Sequence, residues 1–391
     1  MGKSLKIAMV AACPFPFPRG TPVRIQRLSE ALCDRGHEVH IVTYHLGEED
    51  VGAPYETHRT RETSWYTECS PGPTLTKLCL LDPLLLSKLR QVLKSKSIDI
   101  VHAHHYEGLL VASLLCRWTG QPFVYDAHTL LESELPSYSL GLPSTVKRWL
   151  GRRLDRAVPS SAGHTIAVSD EIQRYLTRHS GVAKDRVTVV TSGVEARLFN
   201  GRKAKSVRSR TLGAKQLVFA GNLAPYQGIE LMLEAFREVT AQFNNVRLRI
   251  VTDTSFAGYE SLAQGLGVRD RIDVIHVGFD RVPAYLQAAD VLLNPRMVCD
   301  GIPQKLLNYM ASGKPVVSFA GSAKLITHEE NGLVACADNP SAFAAATVRL
   351  LDDVTLAGRL GSNARRLVET GYTWDVAAAK TELIYESLLG D

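Results

Sequence analysis

The sequence predicts an α/β protein built from two doubly wound domains, and three observations carry that reading. Short apolar runs rich in Val, Ile and Leu recur along the 391 residues with amphipathic stretches between them, the pattern of parallel strands joined by helices. The pattern runs through both halves of the chain, whose length suits two domains of ordinary size. Between them the segment NGRKAKSVRSRTLG, residues 200–213, is polar, basic and poor in apolar residues, so it reads as a linker between a domain at 1–199 and another from 214.

Taken in order, the strands of the first half are expected at 6–11, 39–43, 98–102, 122–125, 165–168 and 187–191. A helix at 22–35 carries Val23, Ile25, Leu28, Ala31 and Leu32 close to helical spacing and stops at Gly36. The stretch 47–72 is rich in Glu, Thr, Pro and Gly and lacks periodicity, so it reads as a surface loop or flap. The second half supplies strands at 216–220, 246–251, 273–277, 291–294 and 315–319, with helices at 229–243 and 283–288 among them. No repeat of 20–50 residues appears, which sets aside solenoids and propellers.

Composition narrows the function. Hydrophobic residues make up 45% and charged residues 22%, as in a globular protein folded throughout. A net charge of +5, from 45 basic and 40 acidic residues, is too small for a general nucleic-acid binder. Seven cysteines with no C-x-x-C pair read as reduced thiols of a cytoplasmic protein. The apolar start runs straight into the prolines of PFPFP and reads as a strand and loop rather than a signal peptide. The longest apolar run, around 78–86, is broken by Asp82 and Pro83 and falls short of the roughly 20 residues that span a bilayer.

No G-x-G-x-x-G follows an expected strand, and no GxxxxGK[ST], H-E-x-x-H or G-x-S-x-G occurs, which removes the main support for nicotinamide, P-loop, zinc-protease and serine-hydrolase chemistry. In doubly wound domains ligands sit beyond the carboxyl ends of the strands. Four loops there stand out. After the first strand, Gly20 and Thr21 precede Pro22 at a helix start, where free amides can hold an anion. After FVYD comes His128, beside Asp126 and Thr129. HAHHYEG offers a rival cluster of His102, His104 and His105, but positions i, i+2 and i+3 are not expected to converge on a metal from one strand. In the second half Gly221 and Gly228 flank the loop of FAGNLAPYQG. Finally, in GIPQKLLNYMASG, Gly301 and Pro303 open a helix with Lys305 in its first turn and Asn308 a turn further on, a reasonable cradle for a diphosphate.

With these residues in view the sequence resembles the retaining glycosyltransferases of family 4, which have the GT-B architecture of two Rossmann-like domains facing across a cleft. The resemblance runs through GTPVR, RGHEVHIVT, VSDEI, TSGVEARLF, GNLAPYQGIELMLEAF, GIPQKLLNYMASGKPVV, ENGLV and YTWDVAAAKTELIYESLL, nearly the whole chain. It implies that the last helix, 374–391, returns to complete the first domain and that 214–373 binds a nucleotide-sugar donor, a co-substrate, with no other cofactor.

Residue by residue, the family's glycine-rich loop matches at Gly20, with Thr21 in place of a second glycine. His128 matches a histidine near the transferred sugar. Where many members carry an Arg and a Lys on the diphosphate, this chain has Asn222 and Gln227. Two Glu of the family correspond to Asp300 and Asn308, and Gly301, Ile302, Pro303 and Leu306 fall in the same donor segment. The two missing cations call for replacements, for which Lys305, the amides near Pro303 and Arg24 are the candidates, with His105 a further one for acceptor or phosphate. No metal is assigned, and the expected reaction is metal-independent. The acceptor is expected to be a lipid-linked or surface glycan, with the basic, apolar stretch 144–157 on an anionic membrane. The alternatives are a sugar-nucleotide epimerase, a phosphorylase, and a non-catalytic subunit of the same fold, the last suggested by Asn222, Gln227 and Asn308.

Overall fold

The computed structural model describes residues 4–17, 20–48, 51–69, 74–138, 141–199, 213–299 and 301–390. The chain divides into two compact units, one ending at Ser192 and resuming at Trp374, the other running Gly193–Thr373.

In the first unit seven parallel strands lie in the order β3-β2-β1-β4-β5-β6-β7: β1 Lys6–Ala11, β2 Glu38–Thr43, β3 Glu56–Arg59, β4 Ile100–His104, β5 Phe123–Ala127, β6 His164–Ala167 and β7 Val187–Val189. The alternation of β1 explains the two cores. Ala8 and Val10 face Leu85 and Leu89 of the Asp82–Lys96 helix, while Ile7 and Met9 face Ile25 and Leu28 of the Gly20–Asp34 helix. The Trp374–Leu389 helix joins the second of these cores through Ala378, Ile384 and Tyr385.

The second unit repeats the winding with six parallel strands in the order β10-β9-β8-β11-β12-β13: β8 Lys215–Ala220, β9 Val246–Val251, β10 Ile272–Ile275, β11 Val291–Asn294, β12 Val316–Ser318 and β13 Leu333–Val334. In each sheet the order reverses beside the first strand, between β1 and β4 and between β8 and β11. The carboxyl ends at such a switch point are where this architecture binds ligands.

Three expectations are corrected, and one apolar run is placed. Strand β4 begins at Ile100 rather than 98, because the Asp99 side chain accepts from the Lys6 amide at 2.7 Å and ends the preceding turn. The stretch 47–72 is not a free flap. It contains edge strand β3, whose Arg59 donates to the carbonyls of Phe15 at 2.8 Å and Leu46 at 3.1 Å, and it buries Tyr55 and Tyr66. The apolar run near 78–86 leads into the Asp82–Lys96 helix. Residues 193–199 belong to the second unit rather than the first. The Val194 amide donates to Tyr372 O at 2.9 Å, and Val194 and Phe199 are buried with Val218 and Leu292. The linker at 200–212 lies outside the described residues.

Candidate active site

At the carboxyl ends of β4 and β5 the first unit gathers a buried polar network. Asp126, near the end of strand β5, is fully buried and receives Arg24 through Nε at 2.9 Å and Nη2 at 3.3 Å, while Nη2 also donates to Val190 O at 2.9 Å. His102 and His104 project from the same side of β4, their rings stacked at 4.3 Å, and each brings a ring nitrogen to Asp126 Oδ2, at 3.6 and 3.5 Å. His102 Nδ1 meets the Tyr385 hydroxyl at 2.5 Å. Positions i and i+2 of a strand share a face, so these two histidines do converge. Only His105 departs, turning away with φ +61° to open the His105–Thr119 helix.

His128, one residue past β5, is held at both ring nitrogens. Nδ1 lies 3.4 Å from Thr21 Oγ1 and Nε2 lies 3.3 Å from His104 Nδ1. Burial pushes its pKa down to about 3 against the pull of Asp126, so the imidazole is neutral at physiological pH. Burial likewise holds His104 well below the usual histidine range. Asp126 behaves oppositely: burial would raise it, but Arg24 and the histidines hold it well below the usual carboxylate range. The 3.4 Å contact to Thr21 is long for a hydrogen bond to a hydroxyl, so a substrate hydroxyl that displaces Thr21 Oγ1 from Nδ1 would find a neutral imidazole held from behind by His104.

Among the other expected residues of this unit, Gly20 opens the Gly20–Asp34 helix with open space around it. His105 is bound to Glu107 at 2.7 Å and lies 3.7 Å from Glu134; burial lowers its pKa, but these carboxylates outweigh it and raise the value to about 8. Arg24 is a correction. Its side chain is 3% exposed, not that of a surface cation, and Nε and Nη2 are paired with Asp126, which makes it a buried counter-ion; Nη1 is left without a hydrogen-bond partner among the described residues. The same guanidinium argues against a cation on His102, His104 and Asp126, whose ligand atoms otherwise cluster suitably.

In the second unit the expected donor residues meet at the end of β8. Lys305, in the first turn of the Gln304–Ala311 helix, donates from Nζ to Gln227 Oε1 at 2.6 Å and lies 4.8 Å from the centre of the Phe219 ring. Gln227 Nε2 donates in turn to Asn222 Oδ1 at 3.2 Å, and Asn222 Nδ2 donates to the Tyr226 hydroxyl at 3.1 Å. Arg296, just past β11, stacks over the Tyr226 ring at 4.9 Å. Burial, and then the Arg296 charge, lower the Lys305 pKa to about 7. Gly228 makes this loop possible: it holds φ +75°, and a Cβ there would stand 2.2 Å from Pro295 O.

Gly301, with φ +67°, Ile302 and Pro303 lead into the Gln304–Ala311 helix, and Asn308 is half-buried on it. Leu306 is the second correction. Its side chain is fully buried in the core and its amide donates to Pro303 O, so neither faces a donor. Asp300 lies outside the described residues. Sequence reasoning passed over Tyr226, ranked Arg296 below Lys305 because its loop register was ambiguous by one residue, and did not see Asp126 and His104 as the supports of His128. The alternation of histidines in HAHH was the available signal for the last pair.

The family model described as Glycosyltransferase Family 4 matches residues 18–198, and that described as Glycosyl transferases group 1 matches 214–353. The chain is 26% identical to an uncharacterized glycosyltransferase of Methanocaldococcus jannaschii over 98% of both proteins, and 26% identical to the D-inositol 3-phosphate glycosyltransferase of Corynebacterium glutamicum over 75% of this chain and 73% of that protein. The crystal structure of Anabaena HepE in complex with UDP superposes with a TM-score of 0.76 at 17% identity, covering 98% of this chain and 100% of that one. The chain therefore belongs to the family 4 glycosyltransferases, and its two parallel-sheet halves are those of the GT-B fold.

Proposed function

We propose that this glycosyltransferase takes a hexose from a nucleoside-diphosphate sugar and passes it to a lipid-linked or cell-surface glycan acceptor with retention of anomeric configuration. The observation that carries the donor assignment is the Asn222, Gln227 and Lys305 cluster at the carboxyl end of β8, where one half-buried ammonium is held ready by a neutral amide. The UDP complex of the structurally similar Anabaena protein supports the same donor class.

In this reading Lys305 bears on the diphosphate. As the bond between the anomeric carbon and the phosphate oxygen breaks, its ammonium and the amides near Pro303 take up the charge of the leaving group, so no divalent cation is assigned to that step. The acceptor oxygen bonds to the anomeric carbon on the face the phosphate leaves, and the acceptor proton passes to a phosphate oxygen. Neutral His128 holds a sugar hydroxyl and is not the base. The test is release of nucleoside diphosphate from a panel of nucleotide sugars, with and without lipid extract and Mg²⁺. Acceptor-dependent release that persists in chelator supports the reading. Saturable donor binding with no turnover would favour the non-catalytic alternative, which the replacement of two cations by Asn222 and Gln227 motivates.

The same reading places the chain at the cytoplasmic face of an anionic membrane. No helix among the described residues is long and apolar enough to cross one. The Ser144–Ala157 helix instead exposes Val146 and Trp149 beside Arg148, Arg153 and Arg156, with Arg153 stacked on Trp149 at 5.3 Å. Leu150 and Leu154 pack inward, and Lys147, expected among the surface cations, is buried and donates to Pro136 O and Tyr138 O, both at 2.7 Å. Gly151 belongs to that inward face, since a Cβ there would meet Leu131 O at 2.6 Å. Sedimentation with anionic vesicles, lost on Trp149→Ser together with Arg153→Ser, supports this placement; equal sedimentation of both proteins contradicts it.

A further inference from the structure

The geometry points to a divalent transition-metal site, of the kind zinc occupies, on the sheet of the first unit: His40 and His58 with Glu56. His40 of β2 stands directly opposite Glu56 of β3 in the parallel register, and His58 lies two residues further along β3 on the same face. His40 Nδ1 lies 3.1 Å from His58 Nε2 and 3.4 Å from Glu56 Oε2, and His58 Nε2 lies 3.7 Å from Glu56 Oε1. A tetrahedral zinc ion with ligands at about 2.0–2.2 Å spaces them about 3.3–3.6 Å apart, so the three side chains already stand at the separations an ion needs.

The surroundings fit as well. His40 Nε2 lies 2.9 Å from Glu38 Oε1, the carboxylate contact that fixes a ligating imidazole with its other nitrogen facing the ion. Glu56 is half exposed on the edge strand, leaving a fourth position open to water. Two imidazoles and one carboxylate suit zinc, cobalt or nickel rather than magnesium or calcium. The ligands lie along a sheet face rather than beyond the strand ends, so the role is structural: the ion would staple the edge strand β3 to β2. One group competes. Lys96 Nζ lies 2.7 Å from Glu56 Oε2, and the ion displaces that exposed ammonium, while Lys6 stays on Glu38 at 3.2 Å.

The test is calorimetric titration of the chelator-stripped full chain with Zn²⁺, repeated with Co²⁺ followed by visible absorption. One ion per chain is expected, with cobalt bands of a four-coordinate nitrogen and oxygen site. Glu56→Gln and His58→Asn, both at the partly exposed edge, should each weaken binding about tenfold or more with the cooperative melt retained. Lys96→Met should tighten it by removing the competitor. Binding that is absent, that survives both substitutions unchanged, or that shows cobalt–thiolate absorption from cysteines overturns the site.

Discussion

Lys305 Nζ sits 2.6 Å from Gln227 Oε1, so the one ammonium of the β8 cluster is anchored by the very residue that stands where the family's lysine is missing. On the proposed reading, the Gln304–Ala311 helix supplies the cation that meets the diphosphate. Lys305→Ala should raise the donor dissociation constant about tenfold or more, since a hydrogen bond to a charged group is worth about 1.5–3 kcal/mol. Unchanged affinity in a calorimetric titration would remove Lys305 from the site.

The same residue sets a pH dependence. Burial leaves its pKa near 7 in the free protein, and a bound diphosphate raises it. The proton-linked part of the affinity is therefore complete below about pH 7 and lost as pH climbs through the raised value. Donor affinity should fall between pH 7 and 9 in the native chain and stay flat in Lys305→Ala; parallel slopes would contradict the assignment.

His128 is bracketed by Thr21 and His104, a geometry that fixes the orientation of its ring. His128→Ala should lower turnover by about tenfold to a thousandfold while changing donor affinity far less, because a positioned hydrogen bond acts most on the transition state. Native turnover in the variant would end the role given to this residue.

Stability should fall on the acid side. In the unfolded chain histidines take protons near pH 6.5, whereas folded His128 stays neutral down to about pH 3 and His104 is held low as well. Each withheld proton costs about 1.4 kcal/mol per pH unit below that value. His105 has the opposite sign: its stabilisation is complete below pH 6.5 and is lost as pH rises through about 8. Urea midpoints should therefore drop from pH 6.5 to 5, and less steeply in His128→Asn.

Arg24 and Asp126 form an ion pair with 3% and 0% of their side chains exposed. Arg24→Met leaves a buried carboxylate unpaired and should cost about 3–5 kcal/mol in urea unfolding. Donor affinity measured on the folded fraction should not move. A variant of native stability with weakened donor binding would return Arg24 to the phosphate.

Most of the fold was legible because buried parallel strands are dense in apolar residues: β1, β9 and β11 fall where the runs of Val, Ile and Leu place them. Of the edge strands β7 and β10 were read and β3 and β13 were not, since Glu-Thr-His-Arg of β3 is only half covered and β13 spans two residues. In the second unit the helix start identified Lys305 and the family resemblance pointed to Asn222 and Gln227, which the fold joins by hydrogen bonds. In the first, Arg24 looked like a surface cation because its partner lies 102 residues away on β5. Long-range charge pairing leaves no local mark in a sequence. The stacked histidines were misread for a related reason: the strand was placed two residues early, which put His104 outside it.

The most direct measurement is a thermal-shift screen of the full chain against UDP, GDP, ADP and their sugar conjugates, run in parallel on Lys305→Ala. A ligand that binds only the folded chain raises its melting temperature by mass action. One nucleoside diphosphate should stabilise the native protein specifically and the variant much less. A cooperative melt that no nucleotide shifts, or a shift that Lys305→Ala fully retains, would contradict the donor site at the end of β8.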